Sequence, residues 1–239
     1  MSREIIRVGV LADFHGDHKR EALEYFVAQT QPDQLLCVGD VQDYAPYPVP
    51  LTFIRGNHED WEILAQLASG QLTVPNLYYL TDEERLTIGD LSVVGIGGNW
   101  SPTGKLAPKY IRPDYLTRLR HQHADIVLSH ETPIHFANGE RERTLEPLRE
   151  LCGLLRPRLW FSGHHHWYET ETLGRTEIIS LGKWPHEWVV LEVDRSSISW
   201  EQWSPTDPTD YYSRLPAWQA AEEVQKRELL GLERQNKRR

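Results

Sequence analysis

Polar groups recur in this chain at one kind of place, directly after a short apolar run. Asp13 and His15 follow such a run in LADFHG, Asp40 and Asp43 in VGDVQD, and Asn57, His58 and Glu59 in IRGNHED. His130 does so in LSHETP, and His164, His165 and His166 in SGHHHW. This mixture of carboxylate, imidazole and amide donors suits divalent transition metals such as Mn, Fe or Zn, and ligand type alone does not choose among them. Each piece taken alone has an ordinary explanation. Asp after a strand makes a turn, while Asn and Glu suit a helix N-terminus as cap and first-turn anion. Neither explanation calls for a histidine, and desolvation makes consecutive histidines unusual in a core. Joint occurrence and order point to one shared metal site.

Residues scattered in this way meet only if the runs before them are neighbouring strands. Strand-like runs at Ile5–Ala12, Leu35–Val38 and Leu51–Arg55 alternate with helix-like runs at Lys19–Gln29 and Asp60–Ala68. A β-rich stretch follows, Leu77–Leu80, Arg85–Ile88 and Leu91–Ile96, with Gly89-Asp90 as a hairpin turn. Asn99–Pro113 reads as irregular. Helices are predicted at Asp114–His123 and Thr144–Leu155, strands at Asp125–Leu128 and Leu159–Phe161, and three or four more strands between Tyr168 and Trp200. Alternation of this kind builds an α/β domain, in which the carboxyl ends of the strands form the functional crevice.

Between roughly residues 8 and 185 the order D-x-H, G-D-x-x-D, G-N-H-E/D, H and G-H-x-H is complete, and in this the chain resembles the calcineurin-like metallophosphoesterase superfamily. The resemblance implies a four-layer α/β/β/α sandwich with mixed β-sheets and a dinuclear metal centre. One ion would be held by Asp13, His15 and His166, the other by Asn57, His130 and His164, with Asp40 bridging. His58 would be the general acid and Asp43 the carboxylate that orients it. The implied activity is hydrolysis of a phosphate mono- or diester. Two divalent ions about 3.5–4 Å apart lower the pKa of a shared water towards 7 so that a bridging hydroxide attacks phosphorus in line. A general acid then protonates the leaving alkoxide.

Departures from the pattern bear on the substrate. Relatives acting on phosphoserine and phosphothreonine proteins continue the second motif with Arg-Gly, whereas Asp43 is followed by Tyr44 and Ala45. Arg55 matches that group but equally suits a strand end facing solvent. The segment from Phe53 to Leu80, with GDVQD, is similar to RNA lariat debranching enzymes, which carry cysteine where this chain has Asp13. Phosphodiester cleavage of RNA or nucleotides is therefore an alternative. Trp61, Trp100, Trp167, Trp184, Tyr44 and Tyr47 lie near the motifs and suit either base stacking or packing. His18 and His135 are close enough to the motifs to contact ligands or substrate, and His121 and His123 are expected at a solvated helix end.

Composition narrows the setting. The 239 residues carry a formal charge of −9 with 11 histidines, which argues against a wide grip on duplex nucleic acid. Two divalent ions would still make the pocket locally positive. The expected partners are thus a phosphorylated small molecule or nucleotide, with nucleic acid less favoured and no membrane. No apolar run approaches a membrane span, and the N-terminal run is broken by Arg7 and Gly9, as a first strand rather than a signal peptide. Cys37 and Cys152 make no disulfide framework, so a reducing cytoplasm is expected. Residues 1–203 are expected to form the metallophosphoesterase domain, and 204–239 a linker with a C-terminal helical extension. The stretch from Lys226 to Arg239 carries a formal +4.

Overall fold

A computed structural model of the chain describes residues 5–16, 20–134, 142–182, 184 and 188–203, with the backbone alone for 142–145. The segment expected as linker and terminal helix lies outside the described residues, as do His18, His135 and His186. Strands and helices follow the order β1 (Ile6–Leu11), α1 (Arg20–Thr30), β2 (Gln34–Cys37), β3 (Leu51–Phe53), α2 (Trp61–Ala68), β4 (Leu77–Tyr79), β5 (Arg85–Ile88) and β6 (Leu91–Ile96). Then come α3 (Pro113–Leu119), β7 (Ile126–Ser129), α4 (Glu142–Leu155), β8 (Leu159–Ser162), β9 (Glu169–Leu173), β10 (Thr176–Ser180), β11 (Trp188–Asp194) and β12 (Ser197–Trp203).

The strands form two six-stranded mixed sheets, in the orders β12-β11-β1-β2-β3-β4 and β5-β6-β7-β8-β10-β9. In the first, β1 to β4 run parallel, and in the second β6, β7, β8 and β10 do. Parallel neighbours need crossovers, so each block aims all its carboxyl ends one way. Antiparallel partners extend the sheets: β11 and β12 in the first, β5 and β9 in the second. The turn expected at Gly89-Asp90 closes the β5–β6 pair, where Ile88 faces Leu91.

Alternation along the strands sends one face of each sheet into a shared core. Val8, Val10, Leu36 and Ile54 of the first sheet pack against Val93, Ile126, Leu128 and Phe161 of the second. The other face of the second sheet, through Val94, Val127 and Trp160, buries the apolar stripe of α3 and α4, including Leu116, Leu119, Leu148 and Leu151. Behind the first sheet, Phe26 of α1 meets Trp188 at 4.7 Å between ring centroids, and Trp188 lies 4.3 Å from Trp184 and 4.7 Å from Trp203. The result is helix, sheet, sheet, helix. Cys37 and Cys152 are free and buried.

One element differs from expectation. The helix expected to reach His123 ends at Leu119, because the amides of His121 and Gln122 bond to carbonyls three residues back (3.4 and 2.9 Å), and the chain then turns through the buried Ala124 into β7. His121 and His123 are exposed, as expected, and His123 sits 3.3 Å from Asp125. Among the described residues, no helix is long and apolar enough to cross a membrane.

Candidate metal centre

The polar segments singled out in the sequence leave the carboxyl ends of β1, β2, β3, β7 and β8. The β1 and β2 loops are zipped by backbone bonds: Asp13 amide to Gly39 carbonyl (3.2 Å), His15 to Asp40 (2.8 Å) and Gly16 to Val41 (3.1 Å). The β8 loop joins the β7 loop through the Gly163 amide and His130 carbonyl (3.1 Å). Left-handed backbone recurs at alternate residues of these loops, with φ of 52° and 53° at Asp13 and His15, 53° and 51° at Asp40 and Gln42, and 66° and 57° at His164 and His166. Non-glycine residues rarely adopt it, and such strain gathers at functional sites held by their surroundings. Glycine makes the close approach possible, since a Cβ on Gly56 would lie 2.0 Å from the Asp40 carboxylate and one on Gly39 2.5 Å from the His130 ring.

Two overlapping donor groups result. Ligand atoms of Asp13, His15 and His166 all lie within 4.8 Å of one another, and so do those of Asp13, Asp40 and His130. The Asp13 Oδ1 is 3.4 Å from His166 Nε2 and 3.9 Å from His15 Nε2. The Asp40 Oδ2 lies 3.9 Å from His15 Nε2 and 3.5 Å from His130 Nε2, so one carboxylate reaches both groups. Asn57 Oδ1 is 2.8 Å from His130 Nε2. The His164 ring stands 5.0 Å from that of His130 and shares a third group with Glu131 and His165.

The chemistry of this arrangement fits a cation. His130 is fully buried and its Nδ1 lies 2.9 Å from the Val38 carbonyl. A carbonyl only accepts, so Nδ1 carries a proton and Nε2 is the nitrogen turned towards two oxygens, those of Asn57 and Asp40. A ring nitrogen, an amide oxygen and a carboxylate oxygen converging in a dry pocket are a donor set that suits a metal ion. Burial pushes the Asp13 carboxyl up, but the hydrogen bond and charge of His166, with His130 and His15, outweigh it and hold the group at about 2. His164 is pushed down to about 4 by burial and by His130. Both groups are thus in ligating form at neutral pH.

His58 and Asp43, the expected acid and its orienting carboxylate, stand apart from the donor groups. His58 is exposed, its amide donates to Asp40 Oδ1 at 2.8 Å, and its ring centroid is 6.1 Å from that of His15. Asp43 is buried, and its oxygens accept from Arg20 Nε (2.5 Å) and Nη2 (2.9 Å) and from the Ala45 amide (3.3 Å). Its charge is thus met by Arg20 rather than by the His58 ring.

Other supports went unread in the sequence. Glu59, part of the third segment, is buried and accepts from the amides of Val41 and Gly56 (3.2 Å each) and from the Tyr44 hydroxyl (2.6 Å), tying the β2 and β3 loops together. Burial raises its pKa. Glu131 Oε1 pairs with His165 Nε2 at 2.5 Å and its other oxygen accepts the Trp100 amide at 3.4 Å. Burial opposes ionisation of Glu131, but His165 holds it at about 2. Gln42 Oε1 is 2.7 Å from His15 Nδ1. Glu59 was legible only as a motif residue suited to a helix start, Gln42 only as a variable position within a motif, and Glu131 only as a neighbour of His130.

Several stacking candidates turn out to be packing. Trp184 and Tyr47 are buried, and the Tyr44 hydroxyl is taken by Glu59 and the Asp60 amide. Arg55 is not at the solvent, because it is buried in an ion pair with Asp82 at 2.7 Å. Trp61 instead lines a groove of about 530 Å³ with Leu64, Tyr79, Leu106, Tyr110 and Arg112.

Comparison with known proteins agrees with this geometry. Residues 6–168 match the family model described as calcineurin-like phosphoesterase. The lariat debranching enzyme of Entamoeba histolytica is 27% identical over 176 residues, covering 59% of this chain and 49% of that protein. That of Arabidopsis thaliana is 23% identical over 229 residues, covering 67% and 54%. The chain therefore spans about half the length of these curated relatives. Among solved structures, GAP50 of Plasmodium superposes with a TM-score of 0.56 at 16% identity, covering 85% of each chain. A putative 5'-nucleotidase of Staphylococcus aureus gives 0.51 at 17%, covering 85% of this chain and 55% of that one. These two likenesses speak for the fold.

Proposed function

Because the chain belongs to the calcineurin-like phosphoesterase family, we propose that it is a dinuclear metal-dependent phosphoesterase that hydrolyses phosphodiesters. The observation carrying this reading is the convergence of Asp13, His15, Asp40, Asn57, His130 and His166 from the carboxyl ends of strands in both sheets, with His164 beside them. On this reading Asp13, His15 and His166 hold one ion, Asn57, His130 and His164 the other, and Asp40 reaches both. When bound, such a pair acidifies a shared water and polarises the phosphoryl oxygens. The ions are Mn, Fe or Zn, and the site belongs to a soluble, cytoplasmic setting.

The protein's own groups supply the rest. His58 stands at the mouth, tethered through its amide to Asp40, where an imidazolium can protonate the leaving oxygen. We assign Asp43, through Arg20, to holding the 43–50 rim against α1. Diesters are favoured over monoesters by charge. A monoester dianion asks for an extra cation, and among the described residues Arg55 and Arg20, near the motifs, are already paired, Arg55 with Asp82 and Arg20 with Asp43. The likeness to lariat debranching enzymes supports a narrower reading, cleavage of RNA or a nucleotide diester, with the aromatic groove beside α2 taking an organic part of the substrate. A non-catalytic scaffold is the competing reading.

The test is hydrolysis of bis-p-nitrophenyl phosphate and p-nitrophenyl phosphate by the purified chain with Mn²⁺. Turnover of the diester that exceeds that of the monoester and falls about 10²–10⁴-fold in His58→Ala is the expected result. Inactivity on both esters, with His58→Ala indistinguishable, would leave the scaffold.

A further inference from the structure

The groove of about 530 Å³ lined by α2 and by residues 106–112 has the size and the make-up of a small-molecule site, aromatic and aliphatic side chains with a few charged groups. Trp61 is half-buried in it and makes no hydrogen bond, ion pair or ring contact among the described residues. Leu106, in the same lining, is 81% exposed, and Tyr79 is held by Phe53, whose ring stacks on it with centroids 5.3 Å apart. The groove is tied to the metal centre twice. Arg55 lies in its lining two residues before Asn57, and Trp61 opens α2 three residues after His58, so the Cα atoms of Trp61 and His58 are within about 11 Å of each other. Tyr110 pairs with Asn99, and the next amide, that of Trp100, donates to Glu131, whose other oxygen meets His165.

Charge at this place is positive where it is not paired. Arg112 is met by Glu83 and Asp114. Lys105 and Lys109 are exposed with no carboxylate in ion-pair reach among the described residues, and Lys109 Nζ sits 5.3 Å from the centre of the Tyr110 ring. A flat base suits the lining and phosphate suits the lysines, and a nucleotide carries both. A neutral apolar chain would leave the lysines unmatched.

We propose that this groove is a base-binding subsite, in which a nucleobase of the diester substrate stacks on Trp61 and a phosphate on the far side of that nucleoside meets Lys105 and Lys109. The proposal deepens the phosphodiesterase reading above and rests on it, since it makes the substrate a nucleotide diester. The scissile diester at the donor groups then lies one nucleoside's length from Trp61. Stacking tolerates every base, so discrimination among bases is expected to be small.

The experiment uses the full chain with Mn²⁺ and three diesters that share the p-nitrophenolate leaving group: methyl p-nitrophenyl phosphate, thymidine 5'-(p-nitrophenyl phosphate) and the 3'-phosphorylated form of the latter. Wild-type kcat/KM is expected to rise along that series, chiefly through KM. Trp61→Ala should cut the ratio of thymidine to methyl ester by about 5- to 150-fold, the worth of one stacked base. Trp61→Phe, which keeps a ring, should retain most of that ratio. The double variant Lys105→Gln/Lys109→Gln should erase the gain from the 3'-phosphate. Ratios are read because they cancel any loss at the metal centre. In the metal-free chain, thymidine 3'-phosphate should shift the Trp61 indole N–H resonance, and inorganic phosphate should leave it in place. Should Trp61→Ala fail to fold, Leu106→Glu, at a side chain already in solvent, is read in its place and should lower the same ratio. A wild-type ratio near one, a ratio that Trp61→Ala does not move or Trp61→Phe does not retain, a 3'-phosphate gain that survives loss of both lysines, or an indole resonance that ignores thymidine 3'-phosphate would each overturn the proposal. A folded wild type that hydrolyses none of the three esters overturns the proposed function itself, a distinct outcome.

Discussion

Replacing Arg55 by Met tests whether the residue before the third motif serves the fold or the phosphate. Arg55 and Asp82 are both 7% exposed. Arg55 Nη2 donates to Asp82 at 2.7 Å, and its Nη1 donates to the carbonyls of Pro108 (2.7 Å) and Tyr110 (3.1 Å). Asp82 also accepts the Gly97 amide at 3.2 Å. The substitution leaves a carboxylate buried without its cation and two carbonyls without a donor. Breaking one side of a buried pair costs about 3–5 kcal/mol, and at about 2–4 °C per kcal/mol the melting temperature should fall by roughly 6–20 °C. Asp82→Asn should act in the same direction, and the double variant Arg55→Met/Asp82→Asn should cost less than the two together, since each removes the other's partner. The assay is thermal unfolding by circular dichroism, alongside kcat and KM on the diester at a temperature where all variants are folded. An unchanged melting temperature with a raised KM would show that Arg55 binds phosphate and that its buried pairing is incidental.

Three further outcomes follow from the same geometry. Asp40→Asn should lower metal content at both sites, because one carboxylate reaches His15 and His130, and elemental analysis showing wild-type content would contradict this. Gly56→Ala puts a methyl 2.0 Å from the Asp40 carboxylate and 2.4 Å from its backbone nitrogen. No side-chain rotation relieves that contact, so about 1–3 kcal/mol of stability should be lost together with metal, measured by denaturant unfolding and Mn²⁺ titration. His164, held at about 4 against its ordinary 6.5, lets the unfolded chain bind a proton that the folded one refuses. Stability of the metal-free protein should therefore fall as pH drops from 6.5 to 4, and His164→Asn should flatten that limb of the unfolding curve. A second loss, as Asp13 protonates between 3.8 and about 2, should remain.

What could be read from the residues was the part governed by periodicity and by position. Apolar runs alternating at β1, β2 and β3 mark strands, and a carboxylate or imidazole just after each must lie at a strand end whatever the details. The strand boundaries and the five site segments follow from that. Pairing was not legible. Nothing in Trp188–Asp194 says that it runs antiparallel beside β1, because that register is chosen by tertiary packing of Phe26, Trp184, Trp188 and Trp203. The early end of α3 escaped for the same reason. Local pattern favours helix through His123, while the need to bury Ala124 and enter β7 wins.

The supports of the site escaped for a different reason, and they matter more for function. A ligand advertises itself by chemical type, whereas the residue that holds it must only offer an acceptor at the right place. Val38 does this for His130 through its backbone, invisible in any side-chain pattern, while Gln42 does it for His15 with an amide that would pass as a loop residue. Glu59 and Glu131 go further, each joining two of the converging loops through one buried carboxylate. The left-handed backbone at Asp13, His15, Asp40, Gln42, His164 and His166 is strain that no local sequence preference repays. It persists because these buried carboxylates and the inter-loop backbone bonds hold the loops from behind. A substitution that leaves every ligand in place but cuts one support should therefore cost metal before it costs the fold.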